Sequence, residues 1–239
     1  MLKRYELLIR QQPQRARIQG LGNKDRRQLD PPPILQLFIA AENGTFLPDG
    51  EISTHLACHA TLVDQLSLQP ISTVENNASM QHMLIGSLSV SPIHAIDPLP
   101  SSYSIKHPNT VVNVNQHNQY SPSTSPCITL NADAQETQNA PVPGIFFIFS
   151  DLSVRVEGLY RLKFTLYDLN NPNVHEPSTA LCTIFSDVFT VYPAKKFPGM
   201  SESTLLSKAL SKQGHKIPIR HEARNKKTSV NTEETTEEE

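Results

Sequence analysis

A strict alternation of side chains between Gly158 and Leu169 constrains the fold of this chain more than any other feature. In "GLYRLKFTLYDL" every second side chain is large and apolar, and this set comprises Tyr160, Leu162, Phe164 and Leu166. The side chains between them include Arg161 and Lys163. A period of two places successive side chains on opposite faces of an extended strand. The segment therefore predicts a strand with one buried face.

Five further segments have the length and composition of strands. They cover Tyr5–Pro13, Pro33–Ala41, His59–Gln69, His82–Ser91 and Leu181–Pro193, the last as a strand pair or one bulged strand. The apolar run in Pro33–Ala41 is too continuous for a sheet that has only one covered face. Short strands separated by turn signals favour a β-sandwich over a fold of alternating strands and helices.

One segment near the C-terminal end changes to helical spacing. In "SESTLLSKALSKQGHK" the apolar positions recur three and four residues apart, at Leu205, Leu206, Ala209 and Leu210. Ser203 can cap the start of such a helix and Gly214 can end it. We therefore predict a helix of about ten residues with Lys208 and Lys212 facing outward.

A long polar stretch interrupts the strand pattern. From about Ser91 to Pro143 the chain is rich in Pro, Ser, Asn, Gln and His and has few apolar clusters. Burial there would not offset an ordering cost of roughly 1–2 kcal/mol per residue. We expect a loop insertion, most of it mobile, with the domain closing around its ends.

The distribution of charge says more than its total. The 239 residues carry a net charge of −2. Residues 1–30 have eight Lys/Arg against three carboxylates, and residues 195–227 have nine against two. The span between them is acidic, with four Lys/Arg against thirteen carboxylates. Basic ends around an acidic middle indicate a localised site for a polyanion.

The loop "GLGNKDRRQLDPPP", Gly20–Pro33, concentrates the basic charge. Lys24, Arg26 and Arg27 follow two flexible glycines, and three prolines then stiffen the exit. Arg15 and Arg17 lie on the approach to the loop. These five side chains supply donors for phosphates and for guanine edges. The alternative is a structural turn in which Asp25 and Asp30 pair with the loop's arginines.

Other motifs are too weak to indicate catalysis, a cofactor or a metal. The loop lacks the glycine spacing and the following Ser/Thr of a nucleotide-binding loop. His55, Cys58 and His59 have metal-like spacing, but no second ligand cluster accompanies them. Three widely spaced cysteines do not form a disulfide framework, and no apolar run is long enough to span a bilayer. We expect an intracellular protein without a signal peptide, and no enzyme.

Three blocks of the sequence resemble the velvet domain of fungal regulators. They are "YELLIRQQPQRARIQGLGNKDRRQLDPPPILQLFI", "FFIFSDLSVRVEGLYRLKFTLYDL" and "VYPAKKFPGMSESTLLSKALSKQGHKIPIR", in the family's order. The resemblance implies an immunoglobulin-like β-sandwich related to the Rel-homology DNA-binding fold. It places a velvet domain at residues 1–220, with the insertion at about 91–143, and a basic-then-acidic disordered tail at 221–239. The chain is most similar to compact, sporulation-type members.

The same resemblance implies a function. Velvet proteins are nuclear transcriptional regulators of development, sporulation and secondary metabolism, and they form homodimers and heterodimers with one another. Carried over by position, the family's DNA-contacting basic motif falls on Lys24, Arg26 and Arg27. This sequence departs from the family by having Gln19 where Cys is common and Gln28 where Pro is common.

Two function classes follow, and both act without a cofactor. The first is a regulator that binds duplex DNA as a velvet dimer. The second is an adaptor that recruits another velvet protein or a regulatory methyltransferase. Beyond the helix, Arg224, Lys226 and Lys227 form a basic run that predicts nuclear import and shuttling from the cytoplasm. The alternative for this run is a solvated terminal segment that adds to DNA affinity.

Overall fold

A computed structural model of the chain describes residues 4–19, 27–40, 55–76, 79–98, 142–170 and 180–221. Within these ranges the chain forms strands, a short 3-10 helix at Ala194–Lys196 and an α-helix, α1, at Leu205–Lys212. The strands are β1 (Arg4–Gln11), β2 (Arg15–Arg17), β3 (Ile34–Ala40), β4 (Leu56–Asp64), β5 (Thr73–Asn76), β6 (Ser79–His82), β7 (Leu84–Ile85), β8 (Ser89–Val90), β9 (Ile93–Asp97), β10 (Val142–Ile148), β11 (Ser153–Val154), β12 (Gly158–Asp168), β13 (Ala180–Phe185) and β14 (Phe189–Tyr192).

Two sheets carry the fold. The first has the order β1-β3-β10-β9, with all neighbours antiparallel. The second has the order β2-β14-β12-β4-β8, and β13 also pairs with β12, so that β14 and β13 share one edge of this long strand. β2 and β14 run parallel to each other. Two small antiparallel pairs, β5 with β6 and β7 with β11, complete the described sheets.

The side-chain alternation of β12 builds the core as predicted. Tyr160, Leu162, Phe164 and Leu166 are buried in one cluster with residues of the other sheet, such as Leu35 and Phe147. The rings of Phe149 and Phe164 pack with their centroids 5.1 Å apart. The two sheets therefore enclose a common apolar core, and the predicted mainly-β sandwich with one short helix is confirmed.

β3 and β10 are covered on both faces, which explains their continuous apolar sequences. Leu35 of β3 lies in the sandwich core, while Ile34 belongs to a second cluster on the opposite face. That second cluster contains Phe146 of β10 and two leucines of the helix, Leu206 and Leu210. The helix therefore packs on the outer face of the four-stranded sheet, and the inference from the Pro33–Ala41 run is confirmed.

The helix is confirmed, but its details differ from the prediction. It has eight residues, and its N-cap is Thr204 rather than Ser203, with the Thr204 hydroxyl accepting from the Ser207 N–H at 3.1 Å. Leu205 is 72% exposed and contributes little to the packed face. At the other end Gly214 has a φ of 93°, as expected of the residue that ends a helix.

Several predicted strand boundaries need correction. His59–Gln69 ends as a strand at Asp64, because the Asp64 carboxylate accepts the N–H groups of Leu66 and Ser67 and forms a turn. His82–Ser91 is divided among β6, β7 and β8, and Leu181–Pro193 is the strand pair β13 and β14. Inside the predicted insertion, β9 pairs with the start of β10. The rest of the insertion, 99–141, lies outside the described residues.

A buried ion pair connects β1 with β9, the strand from which the insertion leaves. Arg10 of β1 donates to both carboxylate oxygens of Asp97 of β9, at 2.7 and 3.1 Å, and also to Gln36 of β3. The two charged side chains are only 6% and 3% exposed. Gly144 leaves room for this crossing, since a Cβ there would lie 3.0 Å from the Gln36 Nε2. The pair thus ties the two outer strands of the four-stranded sheet together.

Replacing Asp97 by Asn should lower the free energy of unfolding by about 3–5 kcal/mol, because the buried Arg10 guanidinium would lose the negative charge of Asp97. Chemical denaturation of the purified protein measures the change. Glu202→Gln is the matched control, since Glu202 forms an exposed ion pair with Lys208 and its loss should not shift the denaturation midpoint measurably. Equal midpoints for the two variants would contradict the structural role given to the buried pair.

Candidate nucleic-acid interface

The structure describes three of the five predicted DNA-binding residues. Arg15 and Arg17 lie on β2, and Arg27 is exposed in the loop, at the start of the described range 27–40. Lys24 and Arg26 lie outside the described residues. The described part of the candidate site therefore consists of β2, the two ends of the loop and the residues that bond to those ends.

The alternation of β2 directs its two arginines to one face. Ala16 is fully buried in the sandwich core, so Arg15 and Arg17 belong to the outer face of the six-stranded sheet. In the parallel register with β14, Arg15 is paired with Thr190 and Arg17 with Tyr192. The two cations therefore stand side by side at the edge of this sheet, immediately before the loop.

Main-chain hydrogen bonds fix both ends of the loop. On the entry side the Gln19 N–H donates to the Val154 carbonyl at 2.9 Å. On the exit side the Leu29 N–H donates to the Leu152 carbonyl at 2.8 Å. Both ends are thus held by the same short segment around β11, and Leu29 itself is buried in the core. The residues between them leave from and return to a rigid base.

A second set of bonds joins the approach strand to the loop exit. Arg15 and Asp30 exchange main-chain hydrogen bonds of 2.8 and 3.0 Å, and the Gln14 N–H also donates to the Asp30 carbonyl. The Asp30 carboxylate is buried and accepts the Ser201 N–H at 2.6 Å. Its other oxygen lies 3.7 Å from the Arg220 guanidinium. The exit is therefore locked to the C-terminal segment.

The contacts of Asp30 contradict part of the alternative interpretation, in which the loop is a structural turn. Asp30 was expected there to pair with the loop's arginines. Its carboxylate instead contacts Ser201 and Arg220, which lie more than 170 residues away in the chain. Asp25 lies outside the described residues, so its part of that alternative stays a prediction.

The three prolines of the exit are packed rather than exposed. Pro31, Pro32 and Pro33 are all buried, and the Pro32 carbonyl accepts from the Gln11 side chain at 2.7 Å. Gln11 is a buried junction, because its amide also bonds the hydroxyls of Ser207 and Thr204 at the start of the helix. β1, the proline run and the helix are thereby fastened at one point.

Two buried polar groups beneath the entry of the loop lack partners. The Gln19 side chain is 2% exposed, yet neither its amide oxygen nor its amide nitrogen makes a hydrogen bond among the residues that the structure describes. The hydroxyl of the fully buried Ser153 is also without one. An unpaired buried polar group costs about 1–3 kcal/mol. Gln19 is one of the positions at which the sequence departs from the velvet pattern.

Two of the three residues with metal-like spacing, Cys58 and His59, lie on opposite faces of β4. Cys58 faces the core from β4 and His59 faces outward, where its Nδ1 lies 2.7 Å from the Ser89 hydroxyl. Burial raises the pKa of the Cys58 thiol, and burial raises the pKa of the Cys182 thiol to about 12. Both thiols therefore stay protonated at neutral pH. No group of three potential ligands occurs in the described part of the chain.

The basic C-terminal run is only partly described. Arg224, Lys226 and Lys227, which predict nuclear import, lie outside the described residues. Arg220, which belongs to the same C-terminal basic block, pairs with the buried Asp30 and has a structural role. Two other lysines of the C-terminal basic block, Lys195 and Lys196, are exposed on the 3-10 helix directly after β14. Sequence reasoning counted their charge but did not place them beside β2.

Comparisons with known proteins agree on one family. The Velvet factor family model matches residues 5–224. The chain is 32% identical over 234 residues to the sexual development regulator umv3 of Mycosarcoma maydis, and the match covers 96% of the chain and 48% of that protein. The spore development regulator RYP2 of Ajellomyces capsulatus is 32% identical over 92% of the chain and 44% of its own length. The chain thus spans about half the length of these two relatives.

A third relative is more similar in size. The sexual development regulator velC of Penicillium rubens is 32% identical over 230 residues, which cover 88% of the chain and 82% of velC. In the described residues, no helix has the length and apolar character that crossing a membrane requires.

Replacing Gln19 by Met should raise the free energy of unfolding by about 1 kcal/mol or more, because the change keeps the side-chain volume and removes an unpaired buried amide. The matched control is the same substitution at Gln11, whose amide is fully bonded, and it should lower stability by about 1–3 kcal/mol. Chemical denaturation gives both values. A loss of stability at Gln19 similar to that at Gln11 would show that its amide has a partner.

Proposed function

The chain belongs to the velvet factor family, and on that premise we propose that it is a transcriptional regulator that binds duplex DNA through the Gly20–Pro33 loop. Its relatives are named as regulators of sexual development, of spore development and, in Cochliobolus heterostrophus, of development and secondary metabolism. The observation that supports DNA binding most strongly is the double anchoring of the loop. A segment that carries Lys24, Arg26 and Arg27 begins and ends on fixed backbone.

Fixed ends favour binding for a thermodynamic reason. Ordering a free loop on binding costs conformational entropy, and anchoring both ends in the unbound protein reduces that cost. The buried Asp30 carboxylate is already matched by Arg220, so it does not offset the positive charge of the loop. Arg15 and Arg17 add two more cations beside the loop entry. A duplex with its dense phosphate charge is the polyanion that suits this arrangement.

The roles of the individual residues follow from their chemistry. Lysine offers a point charge to a phosphate, while an arginine can bond two acceptors of one phosphate or of one guanine edge. We assign Lys24 to phosphate contact and Arg26 and Arg27 to phosphate or guanine contact. Arg15 and Arg17 contribute positive potential and phosphate contacts. The protein acts without a catalytic step or a cofactor.

Assembly and location complete the proposal. The protein acts as a dimer with a second copy or with another velvet protein, which doubles the number of phosphate contacts. Residues 1–220 form the DNA-binding domain and residues 221–239 form its tail. Arg224, Lys226 and Lys227 direct import into the nucleus, from which the protein shuttles to the cytoplasm.

A second candidate function is favoured by exposed apolar side chains near the same edge. Leu159 of β12 and Val188, which precedes β14, are 44% and 38% exposed. Apolar side chains of this kind suit a protein partner. An adaptor that recruits another velvet protein or a regulatory methyltransferase would use such a surface and would not need the loop cations.

Replacing Lys24, Arg26 and Arg27 together by Ala should flatten the log–log salt dependence of DNA binding by roughly 2.7 per bound protomer, since each phosphate contact contributes about 0.9. Fluorescence anisotropy with a labelled duplex over a salt series measures the slope. Replacing Asp25 by Ala should leave affinity unchanged or raise it, because a carboxylate is removed from the cationic loop.

The control for this experiment is a variant with Lys208 and Lys212 of the helix replaced by Ala. It removes positive charge from another surface and should keep the wild-type slope. Thermal unfolding checks that each variant is folded. A folded triple variant with wild-type affinity and wild-type salt slope would exclude the loop as the DNA site. That result would favour the adaptor function over DNA binding through the loop.

A further inference from the structure

The 3-10 helix at Ala194–Lys196 is a hydrogen-bonded cationic turn. The Lys196 N–H donates to the Pro193 carbonyl at 3.0 Å and closes the turn. The rings of Tyr192 and Phe197 on either side of it pack with centroids 6.3 Å apart. The helix buries none of its own residues, and both Lys195 and Lys196 are exposed. Two positive charges are thus held outward on fixed backbone.

The parallel pairing of β2 and β14 places this turn beside the loop. Arg17 is paired with Tyr192, and the Ile18 N–H donates to the Tyr192 carbonyl at 2.8 Å. Parallel neighbours run in the same direction about 4.8 Å apart, so both chains leave the sheet at the same edge. β2 continues there into the Gly20–Pro33 loop, and β14 continues into the 3-10 helix.

Within the described residues, the two lysines of the turn have no counter-charge. Neither lysine forms an ion pair with any residue in the described ranges, whereas Lys208 and Arg220 of the same C-terminal block do. Exposed lysines on most surfaces are simply solvated. Three features distinguish Lys195 and Lys196: their turn is closed by a hydrogen bond, no carboxylate among the described residues pairs with them, and their segment leaves the sheet beside a second cationic segment.

We propose that Lys195 and Lys196 form a second phosphate-binding segment, which contacts the same DNA backbone as the loop. The inference rests on the proposed DNA binding and adds residues to it. Each strand of a duplex presents a phosphate about every 3.4 Å along the helix axis, so one backbone can contact two neighbouring segments. Because lysine reads charge rather than bases, the segment adds affinity and orientation and no sequence preference.

The test is the variant Lys195→Gln with Lys196→Gln, measured by fluorescence anisotropy on a labelled duplex of mixed sequence. Loss of two phosphate contacts from each bound protomer should lower the log–log salt slope by about 1.8 per protomer. The ratio of wild-type to variant association constants should therefore fall about 12-fold between about 50 and 200 mM salt. The variant Lys195→Arg with Lys196→Arg keeps the charge and should keep the wild-type slope.

The matched control is Lys208→Gln with Lys212→Gln, which removes the same number of lysines from the helix. The far end of that helix lies beside β9, where Gln213 bonds both main-chain groups of Ile96. The control should keep the wild-type slope. If the double variant at the turn does not fold, the single variants Lys195→Gln and Lys196→Gln take its place, each with an expected loss of about 0.9.

The outcomes separate this inference from the proposal on which it rests. A wild-type slope in the turn variant, together with a reduced slope in the loop variant, would overturn the second segment and leave the loop as the DNA site. A wild-type protein that does not bind the duplex at all would overturn both. A loss near 1.8 at the turn, with the control unchanged, supports the second segment.

Discussion

The buried carboxylate of Asp30 is the contact on which the arrangement of the site depends. A carboxylate removed from water is costly unless hydrogen bonds and a counter-charge replace its hydration. Ser201 and Arg220 supply both, and they come from the opposite end of the chain. The main chain of the same residue pairs with Arg15. One residue thus joins the approach strand, the loop exit and the C-terminal segment.

This junction explains the charge distribution along the sequence. The two basic blocks stand at opposite ends of the chain, yet β2 of the first block and β14, which leads into the second, are hydrogen-bonded neighbours. Arg15 and Arg17 consequently lie near the turn that carries Lys195 and Lys196. The acidic middle of the chain supplies much of the sandwich, including β4 and β12. A net charge close to zero therefore coexists with a cationic edge.

The sequence was sufficient where a local pattern decides the structure. The period of two in β12 and the two-sided apolar run of β3 each follow from nearby residues, and both were predicted. β9 was missed because its short sequence "IHAID" lies within a polar, proline-rich stretch. Its partner β10 begins more than 40 residues later. The N-cap was misplaced by one residue because Ser203 and Thr204 are both capable of capping, and the contact of Thr204 with Gln11 decides between them.

The candidate site shows the same limit. Lys24, Arg26 and Arg27 are recognisable from their spacing, but the bond between Asp30 and Arg220 spans 190 residues and has no local signal. The parallel pairing of β2 and β14 likewise brings Lys195 and Lys196 beside β2, and no local sequence pattern predicts this pairing. Contacts between distant parts of the chain, which no residue pattern encodes, therefore decide which of the basic residues share a surface.

Hydrogen–deuterium exchange of the full chain, with and without a saturating mixed-sequence duplex, tests the location of the proposed DNA-binding surface most directly. The account predicts that DNA slows exchange in peptides that cover residues 20–28 and 194–197. Exchange in α1 and β9, on the outer face of the other sheet, should stay unchanged. Protection by DNA that is confined to α1 and β9, with none in residues 20–28, would contradict the account.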